Sequence, residues 1–229
     1  MAKRLALIGV LSLLGTFAVS AGDIAQFVNL GFSPDSKHFM FGQYGVLEKT
    51  SFPWAEAYIV DVGANSFVPR GTRKVSPTQP VEPGASGLGA LLNALADSLP
   101  EKKHFRIDHL LTGRLLYVLV DGDPVNDGLE FRDFPTGRAF KIELVQNGGN
   151  GNGGDASFHL SIAIEEKDGK TSTFSAGDPS YKRPGVKAYH IKQVILAPEN
   201  SSLVFLIQKE EQDSQGRNIR YMVETVRAK

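Results

Sequence analysis

In several segments of this chain, large apolar side chains recur at every second position, the period of a strand with one buried face. The segment Phe158-His159-Leu160-Ser161-Ile162-Ala163-Ile164 is the clearest case. Runs of this kind, rich in β-branched and aromatic residues, predict strands over 25–32, 39–44, 55–62, 114–120, 129–134, 138–146 and 156–165. Four more follow over 171–175, 186–196, 203–208 and 219–226. Turn chemistry separates them. Ser33-Pro34-Asp35-Ser36-Lys37 joins the first two, because proline fixes φ while Asp and Ser side chains bond to nearby backbone. Lys167-Asp168-Gly169-Lys170 supplies an Asp-Gly hairpin turn, and residues 212–218 form a polar loop before the last strand.

The period changes once. Leu88, Leu91, Leu92, Leu95 and Leu99 recur at i, i+3, i+4, i+7 and i+11, which predicts a helix with one leucine stripe, stopped by Pro100. The opposite face is mostly Ala and Gly, so the helix is expected to pack on a sheet rather than stand in solvent. Residues 101–111 add a second helical piece. Residues 69–87, with Pro69, Pro77, Pro80 and Pro83, read as a connecting loop. The fold class is therefore mainly β: antiparallel meanders forming a sandwich or small propeller-like stack, with a short helical insertion around 86–111.

The amino terminus has a different pattern. Lys3 and Arg4 precede an apolar run over 5–17, and Ala18-Val19-Ser20-Ala21 places small residues where a signal peptidase cuts. The run of about 13 residues falls short of the roughly 20 needed to span a bilayer. Residues 1–21 thus read as a secretory signal peptide and 22–229 as a single exported, soluble domain with no membrane-spanning segment. Removing Lys3 and Arg4 leaves 23 basic against 25 acidic side chains, a net charge of −2. That balance gives no excess of cations for a phosphate backbone, so nucleic acid is not an expected partner. The absence of cysteine removes disulfides, thiol nucleophiles and Cys-ligated metal together.

Two stretches resemble one another. Phe32-Ser33-Pro34-Asp35-Ser36-Lys37-His38-Phe39-Met40-Phe41 precedes Ala57 to Val62, and Leu196-Ala197-Pro198-Glu199-Asn200-Ser201-Ser202-Leu203-Val204-Phe205 precedes Arg220 to Thr225. Each reads strand, Pro-acidic turn, strand, loop, strand. The unit resembles a blade of the propeller repeats of the translocation protein TolB, and equally a plain three-stranded meander; two copies are too few to close a ring. A longer signature, Gly31-Phe32-Ser33-Pro34-Asp35, Phe39-Met40-Phe41-Gly42-Gln43-Tyr44-Gly45, Phe52-Pro53-Trp54, Tyr58-Ile59-Val60-Asp61-Val62 and Phe67-Val68-Pro69-Arg70-Gly71-Thr72, resembles a bacterial family of predicted secreted proteins of unknown function. Family members often carry an Asp-Gly-Ser-Gly loop where this chain has Leu47-Glu48-Lys49-Thr50-Ser51. The resemblance implies export and a β-rich fold and brings no catalytic residues with it.

Three places carry candidate chemistry. Asp121, Asp123 and Asp127, in the loop Asp121 to Glu130, could offer oxygens to calcium, although the spacing does not fit the helix–loop–helix pattern and a solvated Asp/Asn/Gly turn accounts for the same residues. Phe52, Trp54 and Tyr58 form the densest aromatic patch, either a platform for a ligand or the core of a sheet. Asn147 to Asp155 reads as a flexible glycine-rich hairpin loop, since a single copy cannot stack into a calcium-binding roll and Gly-Lys-Ser/Thr is missing. His38, His104, His109, His159 and His190 have no helical metal spacing, and no nucleophile elbow is present. The resulting expectation is a non-enzymatic envelope protein that binds or scaffolds an envelope protein or ligand through loops at one end of its sheets. Two alternatives are a carboxylate-based hydrolase of envelope polymers and a calcium-stabilised structural module. No other cofactor is expected.

Overall fold

A computed structural model describes residues 23–149, 154–213 and 216–228. The segment over 1–21 expected to be a signal peptide, the centre of the glycine-rich loop and part of the loop over 212–218 lie outside the described residues.

Twelve strands and two short helices are formed in the described chain. The amino-terminal sheet is a meander of β1 (Gln26–Phe32), β2 (His38–Val46), β3 (Pro53–Asp61) and β4 (Ser66–Val75). Helices α1 (Leu88–Asp97) and α2 (Leu99–His104) follow, and then β5 (Arg114–Val118). A second meander, the outer sheet, contains β6 (Gly128–Asp133), β7 (Arg138–Gly148), β8 (Ala156–Glu165) and β9 (Thr171–Arg183). The chain then returns through β10 (Val186–Leu196), β11 (Ser202–Asp213) and β12 (Gly216–Arg227), which pair with β5 in the order β12-β11-β10-β5. Every named pairing is antiparallel.

This last sheet lies in the middle of an open, sandwich-like stack. Alternate residues of its strands serve different layers. Tyr189, Ile191, Val194, Leu203, Phe205 and Ile207 pack on Ile142, Leu144, Phe158, Leu160 and Ile162 of the outer sheet. Ile195, Ala197 and Val204 pack on Phe32, Phe39, Phe41, Tyr58 and Val60 of the amino-terminal sheet. A strand buried on both faces needs an unbroken apolar run, which is why β11 reads Leu203-Val204-Phe205-Leu206-Ile207 without alternation. Side chains also stitch the layers. Gln43 Oε1 accepts from Tyr221 N at 2.8 Å, and Thr225 Oγ1 donates to Val62 O at 2.9 Å. On the other side, Gln146 Oε1 accepts from Tyr189 N at 2.8 Å. Among the described residues no helix is long and apolar enough to cross a membrane.

Three local expectations change. Residues 69–75, expected as the start of a loop, belong instead to the edge strand β4 (Ser66–Val75). An edge has no neighbour for Pro69 to disappoint, and a register shift between Tyr58 and Val60, beside Arg70 at φ 59°, absorbs the irregularity. The buried face of the helix overlaps the leucine stripe only in part, keeping Leu91 and the half-buried Leu95. Ala90, Leu91 and Ala94 are buried against Leu30, Met40, Ala57 and Ile59, while Leu88, Leu92 and Leu99 are exposed. Glycines allow the close approach: a Cβ on Gly87 would stand 2.2 Å from Gly45 O, and one on Gly42 would stand 2.8 Å from Leu91 Cδ1, so Leu91 seats over β2 with Ala90 and Ala94 beside it. Pro100 does not end the helical region either. It sits in the first turn of α2, where its missing N–H costs nothing.

Candidate functional site

The two similar stretches build the same turn twice. In the first, Ser33 N donates to His38 O and Ser36 N to Ser33 O, both at 2.9 Å, with Ser36 at φ 53°. In the second, Ala197 N donates to Ser202 O and Asn200 N to Ala197 O, both at 2.9 Å, with Asn200 at φ 57°. Pro34 and Pro198 occupy equivalent places, and Asp35 and Glu199 follow them. Asp35 Oδ1 fixes its own turn by accepting from Ser33 Oγ at 2.7 Å and Lys37 N at 3.2 Å. The facing layers bring the turns to one end of the stack.

A third segment joins them. Residues after α2 dock on the edge of β1 through Asp108 N to Phe32 O at 2.9 Å and Phe32 N to Leu111 O at 2.8 Å. This brings His104, Phe105 and Arg106 beside the first turn. The result is a two-part groove. Its larger hollow, about 470 Å³, is lined by Ser33, Asp35, His38, His104, Arg106 and Glu199, among others. Its smaller one, about 180 Å³, includes Asp35, Lys37, His38, Asp61, Ser201 and Arg227. Asp35 and His38 line both.

His38 is the pivot. Its ring lies against Phe105, centroids 4.5 Å apart, and no described residue hydrogen-bonds its ring nitrogens. Burial lowers its pKa, with the carboxylates of Asp61 and Asp35 opposing, so at neutral pH it offers one donor and one acceptor rather than a fixed charge. Around it the cations Lys37, Arg106 and Arg227 and the anions Asp35, Asp61 and Glu199 are mixed. Asp61 is partly spent on its own turn, accepting from Gly63 N and Ala64 N at 2.9 Å. Asp35 is lowered, chiefly by the Ser33 hydroxyl. A polymer-cleaving acid needs a carboxyl driven upward. The carboxyl that burial does raise, Glu224, lies between layers, where it accepts from Asn65 Nδ2.

The residues singled out from sequence sit elsewhere. Trp54 and Tyr58 are buried on the β3 face toward the middle sheet, and Phe52 is half-buried at the start of that strand. Tyr58 stacks between Phe41 and Phe67, at 5.0 and 4.9 Å, and its hydroxyl donates to Glu56 Oε2 at 2.6 Å. Trp54 Nε1 donates to Asp23 Oδ2 at 3.0 Å, under the guanidinium of Arg220. The rings of Trp54 and Tyr58 fill the space between layers. Asp121, Asp123 and Asp127 are all exposed. Asp121 pairs with Lys192 Nζ at 2.5 Å, and Asp127 Oδ1 accepts from Gln146 Nε2 at 3.4 Å. Among the described residues no three His, Asp or Glu side chains gather as a metal site.

The groove residues had one signal in the sequence, the repeated Pro-acidic turn; Arg106 and Arg227 had none. No curated protein matches the chain. A family model described as "Predicted secreted protein (DUF2259)" matches residues 40–227, from β2 to the end of β12 and so across all three sheets, and the chain belongs to that family.

Proposed function

We propose that this protein is exported and acts as a non-enzymatic binding module, holding a component of the cell envelope in the groove around His38. Export draws on the basic and apolar amino terminus and on the family's description as predicted secreted proteins. One observation carries the binding reading. Three segments far apart in sequence converge on a groove whose central imidazole has no hydrogen-bond partner among the described residues, while the turns that frame it are internally fixed. Preformed turns lose little entropy when a ligand binds, and loops held by a rigid scaffold are where recognition concentrates.

The test is site-specific photo-crosslinking in intact cells. A photoreactive residue is placed in turn at Lys37 and His104 in the groove and at Lys141 and Tyr181 on the outer sheet. The expected result is one discrete adduct from both groove positions and none from the outer-sheet positions, lost on His38→Ala. Adducts of equal yield from all four positions, or from none, would refute the reading.

A further inference from the structure

An open sheet edge is a row of backbone donors and acceptors that any extended strand can fill. Natural sheets blunt such edges with charge, proline or a covering segment. Most edges here are blunted in this way. β4 carries Pro69, Arg70, Arg73 and Lys74, and β9 carries Asp178, Pro179 and Lys182. β6 presents Glu130 and Arg132. β12 has Arg217, Arg220 and Arg227 and is bridged by Ile24, with Ala25 N bonded to Ile219 O. β1 is covered where Phe32 bonds to the backbone of Asp108 and Leu111.

β5 is the exception. It pairs with β10 through Arg114, Leu115, Tyr117 and Val118, and among the described residues nothing pairs with its other side. Its one charge, Arg114, is held by Asp133, and the next charge along the chain, Asp121, is held by Lys192. Leu115 is 51% exposed and Val118 41%, and the loops and strand around them add Leu110, Val120, Val125 and Phe134, all exposed. Single apolar residues on a surface need no explanation, but a run of them along an unguarded edge marks an interaction surface. The strand has five residues and a register shift at Leu116, so these side chains, more than the ladder, must supply the hold on a partner.

We propose that two copies of this protein pair antiparallel through β5, joining their middle sheets into one sheet of eight strands across a two-fold axis. Every copy brings the same unguarded edge, and pairing that edge with itself removes it from both. The opposite edge of the middle sheet, β12, is charged and bridged, so β5 has no β12 to add to on a neighbour and the assembly closes at two. The charges fit the same arrangement. Phe131 of β6 stacks on Tyr117 of β5 with centroids 6.4 Å apart, and Glu130 and Arg132 flank it in the strand. A two-fold axis beside that stack sets Glu130 of one copy toward Arg132 of the other, whereas parallel strands would set like against like. Arg114 begins β5 at the groove end of the stack, where its Nη2 reaches Asn200 Oδ1 at 3.4 Å. Antiparallel pairing therefore puts the two grooves at opposite ends of the dimer.

Sedimentation of the purified protein over a wide range of concentration tests the pairing. The expected particle at high concentration has twice the mass of one chain. Val118→Lys brings two ammonium groups together and should raise the concentration of half-dissociation at least about tenfold. Leu92→Lys, on the exposed side of α1, should leave that concentration unchanged. The chain has no cysteine, so Val118→Cys accepts a single spin label. Paired strands lie about 4.8 Å apart, so the two labels of a dimer should fall within about 25 Å of each other. That distance decides the matter if Val118→Lys does not fold. A single chain at every concentration, particles that grow beyond two chains, or labels farther apart than expected would overturn the proposal. So would a dimer that survives Val118→Lys or is lost in Leu92→Lys.

Discussion

Asp133 ends β6 and is 4% exposed, yet it carries a charge. Arg114 of β5 grips it with both guanidinium nitrogens, Nη2 to Oδ2 at 2.9 Å, and Thr136 donates to Oδ2 through its amide at 3.2 Å and through its hydroxyl. Arg114 Nη2 also reaches Asn200 Oδ1 at 3.4 Å, and Arg138 Nη1 donates to Asn200 O at 2.6 Å. The cluster therefore fastens the outer sheet to the edge of the middle sheet and to the second turn of the groove. The bond from Arg114, helped by Thr136 and opposed by burial, pulls the Asp133 carboxyl from 3.8 down to about 2. At 1.36 kcal/mol per pH unit that gap is worth about 2.4 kcal/mol. Arg114 is itself 38% exposed, so solvent screening brings the expected contribution to about 1–2 kcal/mol. A carboxyl with a depressed folded value adds stability above its unfolded value and loses it as pH falls toward the folded one. Asp133→Asn keeps the shape and removes the charge. Urea unfolding should show the variant about 1–2 kcal/mol less stable at pH 7, the difference narrowing between pH 4 and pH 2. Equal stability at pH 7, or a difference that persists unchanged to pH 2, would refute the reasoning.

The remaining predictions concern fit and metal. Gly31→Ala should destabilise by about 2–4 kcal/mol in the same assay, because φ is 95° there and a Cβ would stand 2.1 Å from Asp108 O. On α1, Ala94→Leu should cost about 1–3 kcal/mol by overpacking the sheet contact, whereas Leu92→Ser should stay within about 0.5 kcal/mol; the reverse order would restore the leucine stripe as the buried face. Calcium in place of a chelator should leave the melting temperature of the folded chain unchanged within about 1 °C, since Asp121 is already paired with Lys192 and no carboxylate cluster forms among the described residues. A reproducible rise would instead reveal a cation site.

The strands were legible where one rule sufficed. Period-two alternation marks Phe158 to Ile164 in β8, and the proline-acidic turns mark one corner of the amino-terminal sheet and one of the middle sheet. Legibility failed where tertiary contact overrode local preference. Pro69 argues against a strand until β4 is known to be an edge, and Leu88 and Leu92 of α1 look as buried as Leu91 until the close seating of the helix on β2 brings Ala90 and Ala94 inside instead. The site was less readable for the same reason. Trp54 and Tyr58 stand out by size, which is also what makes them good filling between layers. His38 is inconspicuous in sequence, and only the placing of residues 104–106 beside the first turn and the facing of two turns give it neighbours.

The middle sheet sets a condition on how the molecule comes into being. β5 finds its partner β10 only about 75 residues later, and Ile24 waits for Ile219. A chain threaded through a membrane from its amino end can assemble the first meander early, but Phe39, Phe41 and Val60 then face water until Ile195 and Val204 emerge. If the chain is exported unfolded, the core closes only once β10 and β11 have emerged, and a product truncated before β10 would keep a greasy flank that proteases and chaperones can recognise.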